Sequence, residues 1–308
     1  MLKIFLVQIK ISNKMNQGKK GLFFAHLAVL LFGFPGVIGK ALPFSPTQLT
    51  WLRVMLASLA LLVIIRITGQ ARPVFRSSEI MLLISTGFLL SFHWTAFFLS
   101  VKKATVAVGL LAYSTFPVFT AFLEPLFLKT RFKANYVWLA WLTVIGIFLM
   151  VPEFKITNNV FVGLLWGIFS GLSFSLLSII NKKLSINYSS SLLALIQDGL
   201  AAFLLLPFLF SQPWPSNSFS LKNLVLLFML GVVCTAGAHT LFIKAISLTE
   251  ARISSLISAL EPVYGIIFGY LFLHEKPDLR TLAGGSLILL AVLVVSARSQ
   301  PEFREKKS

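Results

Sequence analysis

The residues able to do chemistry are few and stand in apolar surroundings. Arg53, Glu124, Asp198 and Glu261 are ionisable side chains well inside long apolar runs, with His93 and His239 in similar runs. An ionisable group at the centre of a bilayer costs roughly 2.5–3.5 kcal/mol on insertion scales, so one that is kept faces a cavity or a partner. Glu261 precedes Pro262, whose missing N–H frees a backbone carbonyl within the run. A carboxyl there suits the binding and release of a proton; it can equally fix helix packing through a hydrogen bond or an ion pair, with Arg53 as a candidate cation. Arg53 stays protonated and offers a planar fork, so it either holds an anionic part of a ligand or pairs with Asp198 or Glu261. His93 and His239 are either hydrogen-bonded core residues or proton relays. Trp94, Tyr113, Trp166 and Tyr264 supply the aromatic surface on which an amphipathic solute can stack.

Other chemistries find little support. The single cysteine, Cys234, rules out an intramolecular disulfide and any CxxC metal cluster. No GxxxxGK[ST] phosphate loop is present, so no cofactor is expected. An integral-membrane enzyme needs paired acids or a His-Asp constellation, yet the aspartates are Asp198 and Asp278, 80 positions apart.

These residues must be positioned by membrane-spanning helices. The 308-residue chain is 57% hydrophobic and 12% charged, with a mean hydropathy of +0.88. That leaves too little polar surface to cover a water-soluble globule. Runs of about 20 apolar residues, enough to cross a hydrocarbon core of about 30 Å, fall at 21–41, 47–66, 79–100, 104–128, 134–152, 160–180, 189–210, 221–243, 251–273 and 279–297. The first contains FGFPGVIGK, whose glycines and proline weaken or kink the helix. Gly163, Gly167 and Gly171 recur every fourth residue in the sixth, as close helix packing in lipid requires.

The chain repeats itself. A shift of 145 lays Pro117, Val118 and 126–128 (LFL) on Pro262, Val263 and 271–273, and a shift of 144 lays Gly87, Phe98, Thr105 and Ala107 on Gly231, Phe242, Thr249 and Ala251. The shift of 145 brings Asp198 to the place of Arg53, and His93 and His239 fall at nearly equivalent positions. Five spans per half is an odd number, so the second half enters the membrane from the opposite side. The expected fold is an all-α integral membrane protein of ten transmembrane helices in two inverted five-helix repeats, 21–152 and 160–297. Segments 1–20 and 298–308 flank them. Inverted repeats are a common architecture of alternating-access carriers.

A net charge of +17 would suggest nucleic acid as a partner in a soluble protein. Here the basic residues lie in short connections and set topology instead. Of the 27 Lys and Arg, nineteen fall on one side of the ten spans and seven on the other, with Arg53 inside a span. That bias places both termini in the cytoplasm of, most simply, a bacterial inner membrane. The opening MLKIFLVQIK lacks a small-residue cleavage site, and Met15 is a candidate start.

With these features the chain resembles the drug/metabolite transporter superfamily in its EamA-type branch. Three segments carry the resemblance: LEPVYGIIFGYLFLHEKP at 260–277 with its acidic exit Glu275, HWTAFFLSVKKATVAVGLLAYSTFPVF at 93–119, and the second span with Arg53. First-half members often repeat the acidic exit, where this chain has Thr130, and Phe116 stands where the second half has Glu261. Any charge-dependent site is therefore lopsided. The resemblance implies a secondary carrier of a small organic metabolite, such as an amino acid or a related amphipathic compound. It implies mostly export, with proton coupling through Glu261 or a histidine. A multidrug exporter and a facilitated-diffusion permease are the alternatives, and the assembly is a monomer or a homodimer.

Overall fold

The structure, a computed structural model, describes residues 17–69, 75–128, 136–211, 213–216, 218–248, 257–258 and 260–298. Met15, Thr130, residues 1–16 and the tail 299–308 lie outside them. Every regular element among the described residues is helical. In chain order these are α1 (Gln17–Phe32), α2 (Phe34–Ala41), α3 (Pro46–Ile67), α4 (Ser77–Lys103), α5 (Val106–Tyr113), α6 (Phe116–Leu128) and α7 (Tyr136–Met150). The second part holds α8 (Asn159–Leu184), α9 (Ser190–Leu205) with a 3-10 turn at Leu206–Ser211, and α10 (Leu221–Phe228). A π-helical stretch, Met229–Gly237, joins α10 to α11 (Ala238–Leu248), and α12 (Glu261–Leu273) and α13 (Leu279–Arg298) complete the bundle.

Among the described residues, seven helical stretches are long and apolar enough to cross a membrane: Gly18–Ala41, Pro46–Ile67, Ser77–Lys103, Val106–Phe127, Asn159–Leu184, Ser190–Phe210 and Leu221–Leu248. Three shorter apolar helices, Val137–Met150, Glu261–Leu273 and Leu279–Val294, fall where the remaining apolar runs were read.

Polar residues at the ends of the runs start the helices by taking up orphan N–H groups. Ser45 and Gln48 form a reciprocal capping box ahead of α3, with Pro46 in the first turn. Asn158 Oδ1 accepts from the Val160 and Phe161 N–H groups, and Ser189 Oγ accepts from the Leu192 N–H. The first run does break at its FGFPG segment: α1 ends at Phe32, and α2 begins after Gly33 with Pro35 in its opening turn. Pro262 lies in the first turn of α12, a position where a helix has no use for its missing N–H, so it opens this helix.

Helices pair across the two halves of the sequence. α4 runs along α8 and α1 along α11, α3 packs on α9, α7 on α13, and α5 and α6 on α8. Where lipid gives no hydrophobic drive for association, small residues allow the backbones to meet. A Cβ on Gly163 would stand 2.6 Å from the Ala104 Cβ, one on Gly167 2.5 Å from the Ala112 Cβ, and one on Gly171 2.7 Å from the Tyr113 carbonyl oxygen. A second set comes in a related pair. Gly87 faces the Leu200 Cβ at 2.3 Å and Gly231 faces the Leu56 Cβ at 2.6 Å, measured from the same ideal position. Gly87 and Gly231 are 144 positions apart, and so are Leu56 and Leu200.

Where α4 gives way to α5 at Ala104 and Thr105, charged side chains close the gap. Lys40 Nζ donates to the carbonyls of Val101 and Ala104 at 2.7 and 2.5 Å, and Lys102 Nζ returns the contact on the Leu42 carbonyl at 2.8 Å. Glu275 Oε2 accepts the Val106 N–H at 2.8 Å, while its Oε1 is 3.8 Å from Lys40 Nζ. A cavity of about 90 Å³ lies beside Glu275, between Thr105, Val106, Gly269 and Pro277.

Candidate functional site

Arg53 is the largest fully buried side chain, 0% exposed in the middle of α3. A buried guanidinium must find acceptors and a polarisable surface. It finds both. Nε and Nη2 donate to the Thr235 Oγ1 at 2.9 and 2.8 Å, and its Cζ lies 3.4 Å from the Trp94 ring centroid. The Phe98 ring is 5.4 Å away. Cation–π contact of this kind strengthens once the cation is desolvated.

Thr235 belongs to the π-helical stretch, and its hydroxyl donates to the Leu230 carbonyl five residues earlier at 2.6 Å. With its proton committed there, the oxygen's lone pairs are turned to Arg53. Gly231, in the same stretch, lets α3 come close: a Cβ on it would stand 3.1 Å from the Arg53 carbonyl oxygen.

The other ionisable groups gather around this centre. Asp198 on α9 and Glu261 in the first turn of α12 both act on Arg53 through space. His93 and His239 lie within electrostatic range of Arg53 and of each other, and Tyr113 lies within range of Glu261. The His93 Nδ1 meets the Ser170 hydroxyl at 2.8 Å and the Ser170 carbonyl at 3.0 Å. Its ring is 4.5 Å from that of Trp94 and 5.3 Å from that of Tyr113, centroid to centroid. Tyr113 in turn stacks on Phe116 at 5.3 Å, so one aromatic wall runs from Trp94 to α6.

Of the two readings of Arg53, an ion pair with Asp198 or Glu261 is not formed among the described residues. Arg53 is in none of the ion pairs that join described residues, which are Lys40–Glu275, Glu153–Lys155 and Glu124–Lys182. The physical reason is local: Thr235 and Trp94 already occupy one edge and one face of the guanidinium. Several buried atoms remain without a hydrogen-bond partner: Arg53 Nη1, both carboxylate oxygens of Asp198, Trp94 Nε1, His239 Nδ1 and Thr240 Oγ1. The centre thus offers a cationic donor, an unpartnered carboxyl group and an aromatic surface, all out of solvent.

Two candidates stand elsewhere or at the edge. Trp166 is half-buried on α8, its ring 6.2 Å from the exposed Phe169, and makes no aromatic contact with this group. Tyr264, also half-buried, packs on the main core near Gly33, whose added Cβ would stand 2.9 Å from the Tyr264 Cβ. Thr235, Ser170 and Phe98 were not foreseen as members. Phe98 alone carried a signal, through its match to Phe242 in the repeat.

An apolar helical bundle with a buried cluster of charges at its centre defines a polytopic membrane protein with an internal polar site. The model of the EamA-like transporter family matches residues 19–151 and again residues 161–297, and the chain belongs to that family. It is 29% identical over 252 residues to the S-adenosylmethionine uptake transporter of Rickettsia felis, covering 80% of this chain and 82% of that one. It is also 25% identical over 284 residues to the pseudopaline exporter CntI of Pseudomonas aeruginosa, covering 90% of this chain and 96% of that one. A solved crystal structure superposes with a TM-score of 0.65 at 16% identity, over 91% of this chain and 97% of that one, which shows a common fold. The chain is a membrane transporter and not an enzyme.

Proposed function

We propose that the protein carries a small organic solute bearing an amino-acid head group across the bacterial cytoplasmic membrane, by alternating access between two inverted five-helix halves. One observation carries this reading: Arg53, whose guanidinium lies against the Trp94 ring, leaves Nη1 buried without a partner, and both oxygens of the nearby Asp198 are buried without partners as well. A buried donor or acceptor left unpaired costs about 1–3 kcal/mol, more when charged, so a centre with several is built to receive polar groups from a ligand. A carboxylate suits Arg53, an ammonium suits Asp198, and the rest of the solute rests on the wall of Trp94 and Tyr113.

The two-halves reading is supported by the paired contacts Gly87–Leu200 and Gly231–Leu56, since one repeat operation exchanges them. The two copies of the family model along the chain support it as well. Glu261, in the first turn of α12 where the helix field favours an anion, is the candidate coupling carboxyl. Net direction then follows the gradients of solute and proton.

The test is movement of a labelled pool of amino acids and S-adenosylmethionine by purified protein in liposomes, with and without an imposed pH gradient. Selective movement of solutes carrying both charges supports the reading. Movement of none of them overturns it.

A further inference from the structure

We propose that Thr235 is a positioning residue: seated in the π-helical turn, it presets the Arg53 guanidinium so that Nη1 is the nitrogen left to receive a ligand carboxylate. The inference rests on the reading of Arg53 as the carboxylate-binding group and deepens it.

A free guanidinium presents two forks and two faces, and can meet a carboxylate in several ways. Here most of that freedom is gone. The edge formed by Nε and Nη2 is closed by a single oxygen, Thr235 Oγ1, at 2.9 and 2.8 Å. One face is closed by the Trp94 ring at 3.4 Å. The remaining nitrogen, Nη1, is buried and without a partner. The hydroxyl could not perform this task if it rotated freely. Its own proton is held by the Leu230 carbonyl at 2.6 Å, a bond that spans five residues because the helix is widened there.

The backbones are fixed relative to one another as well. The Cβ position of Gly231 is 2.6 Å from the Leu56 Cβ and 3.1 Å from the Arg53 carbonyl oxygen, so α3 and the π-helical stretch are in direct contact. A guanidinium preset in this way loses little side-chain freedom on binding, which is where preorganisation gains affinity. It also sets a geometric rule: a carboxylate enters at the Nη1 end, with the solute's amine placed to reach the unpartnered Asp198 oxygens.

The experiment compares wild-type protein with T235V, which keeps the shape and loses the acceptor, and T235S, which keeps the acceptor. The probes are acid and amine pairs: S-adenosylmethionine with its decarboxylated form, phenylalanine with phenethylamine, and histidine with histamine. Apparent affinities are taken from competition in liposome transport. In wild type, each acid that is moved should outcompete its amine. Losing a hydrogen bond to a charged group should lower that preference on the order of tenfold in T235V. T235S should retain it, and the amines should be handled alike by all three proteins. If T235V does not elute as a folded protein, Thr235→Ala takes its place.

Unchanged acid preference in T235V, or equal loss in T235S, overturns the positioning role while leaving transport itself in place. A wild type that moves the probes without preferring acids overturns it too. A wild type that moves none of the acids overturns the carrier reading, and this inference with it.

Discussion

Gly87 and Gly199 lie on facing helices, α4 and α9, and alanine at each should have opposite effects. A Cβ on Gly87 would stand 2.3 Å from the Leu200 Cβ, 3.3 Å from its Cδ1 and 3.4 Å from its backbone carbonyl carbon. The first contact is with a Cβ, so no rotamer of Leu200 relieves it. An ordinary carbon–carbon contact needs about 3.5–4.0 Å, so α4 and α9 must part by about 1.2–1.7 Å at this point. Overpacking of this kind costs about 1–3 kcal/mol. At Gly199 the nearest atom to an added Cβ is Ser58 Oγ at 3.9 Å, so alanine is accommodated there. In a helix interior alanine is then favoured over glycine by roughly 0.5–1 kcal/mol. The assay is thermal unfolding of the two variants in one detergent, followed by tryptophan fluorescence. Gly87→Ala should melt below wild type and Gly199→Ala at or above it. Because the obstruction is a Cβ, Leu200→Ala should fail to rescue Gly87→Ala, whereas Leu200→Gly should recover part of the loss. Gly87→Ala unfolding with wild type, or rescue by Leu200→Ala, would refute the packing argument.

Other expectations follow from the site and the helix ends. Glu261→Gln should insert and fold, yet remove the response of flux to an imposed pH gradient in liposomes; an unchanged response would exclude Glu261 as the coupling group. Asp278 caps α13, and hydrogen bonds from the Thr281 hydroxyl and backbone N–H hold its carboxyl below the usual carboxylate range. A carboxyl with a depressed native value adds stability above the unfolded value of about 3.9 and loses it as pH falls through the native one. The deficit of Asp278→Ala, about 1 kcal/mol for a lost cap, should therefore be present at pH 7 and shrink in acid melts below pH ~4. A reporter fused after Ser308 should register in the cytoplasm, and a periplasmic signal would overturn the assignment of sides.

Much of the architecture is legible because long apolar runs and their polar borders each carry an independent signal. Ser45, Asn158 and Ser189 stand at those borders and cap helices in the structure. The FGFPG break likewise combines residues that weaken a helix by themselves. The central cluster was legible as a set of residues and less so as a set of bonds. Burial of Arg53, Asp198 and Glu261 follows from charges in apolar runs, but the choice among hydrogen-bond partners depends on shifts of an ångström. That choice went to Thr235, an uncharged residue in a stretch, GVVCTAG, whose composition gives no sign of a π turn.

The clasp around the α4–α5 break gives the two ends of the bundle different sensitivities to dissolved salt. Lys40 and Lys102 are held by main-chain carbonyls at 2.5–2.8 Å, contacts with neutral groups at distances too short for mobile ions to intervene. The Lys182–Glu124 pair joins α8 to α6 at 2.8 Å with the lysine side chain 44% exposed, and a Debye length of about 8 Å at 0.15 M ionic strength already weakens such pairs. Raising the ionic strength therefore weakens the Glu124–Lys182 pair at one end, whereas at the other it reaches only the Lys40–Glu275 pair and leaves the carbonyl contacts of Lys40 and Lys102 in place, so electrolyte concentration becomes a handle on which helix ends separate first.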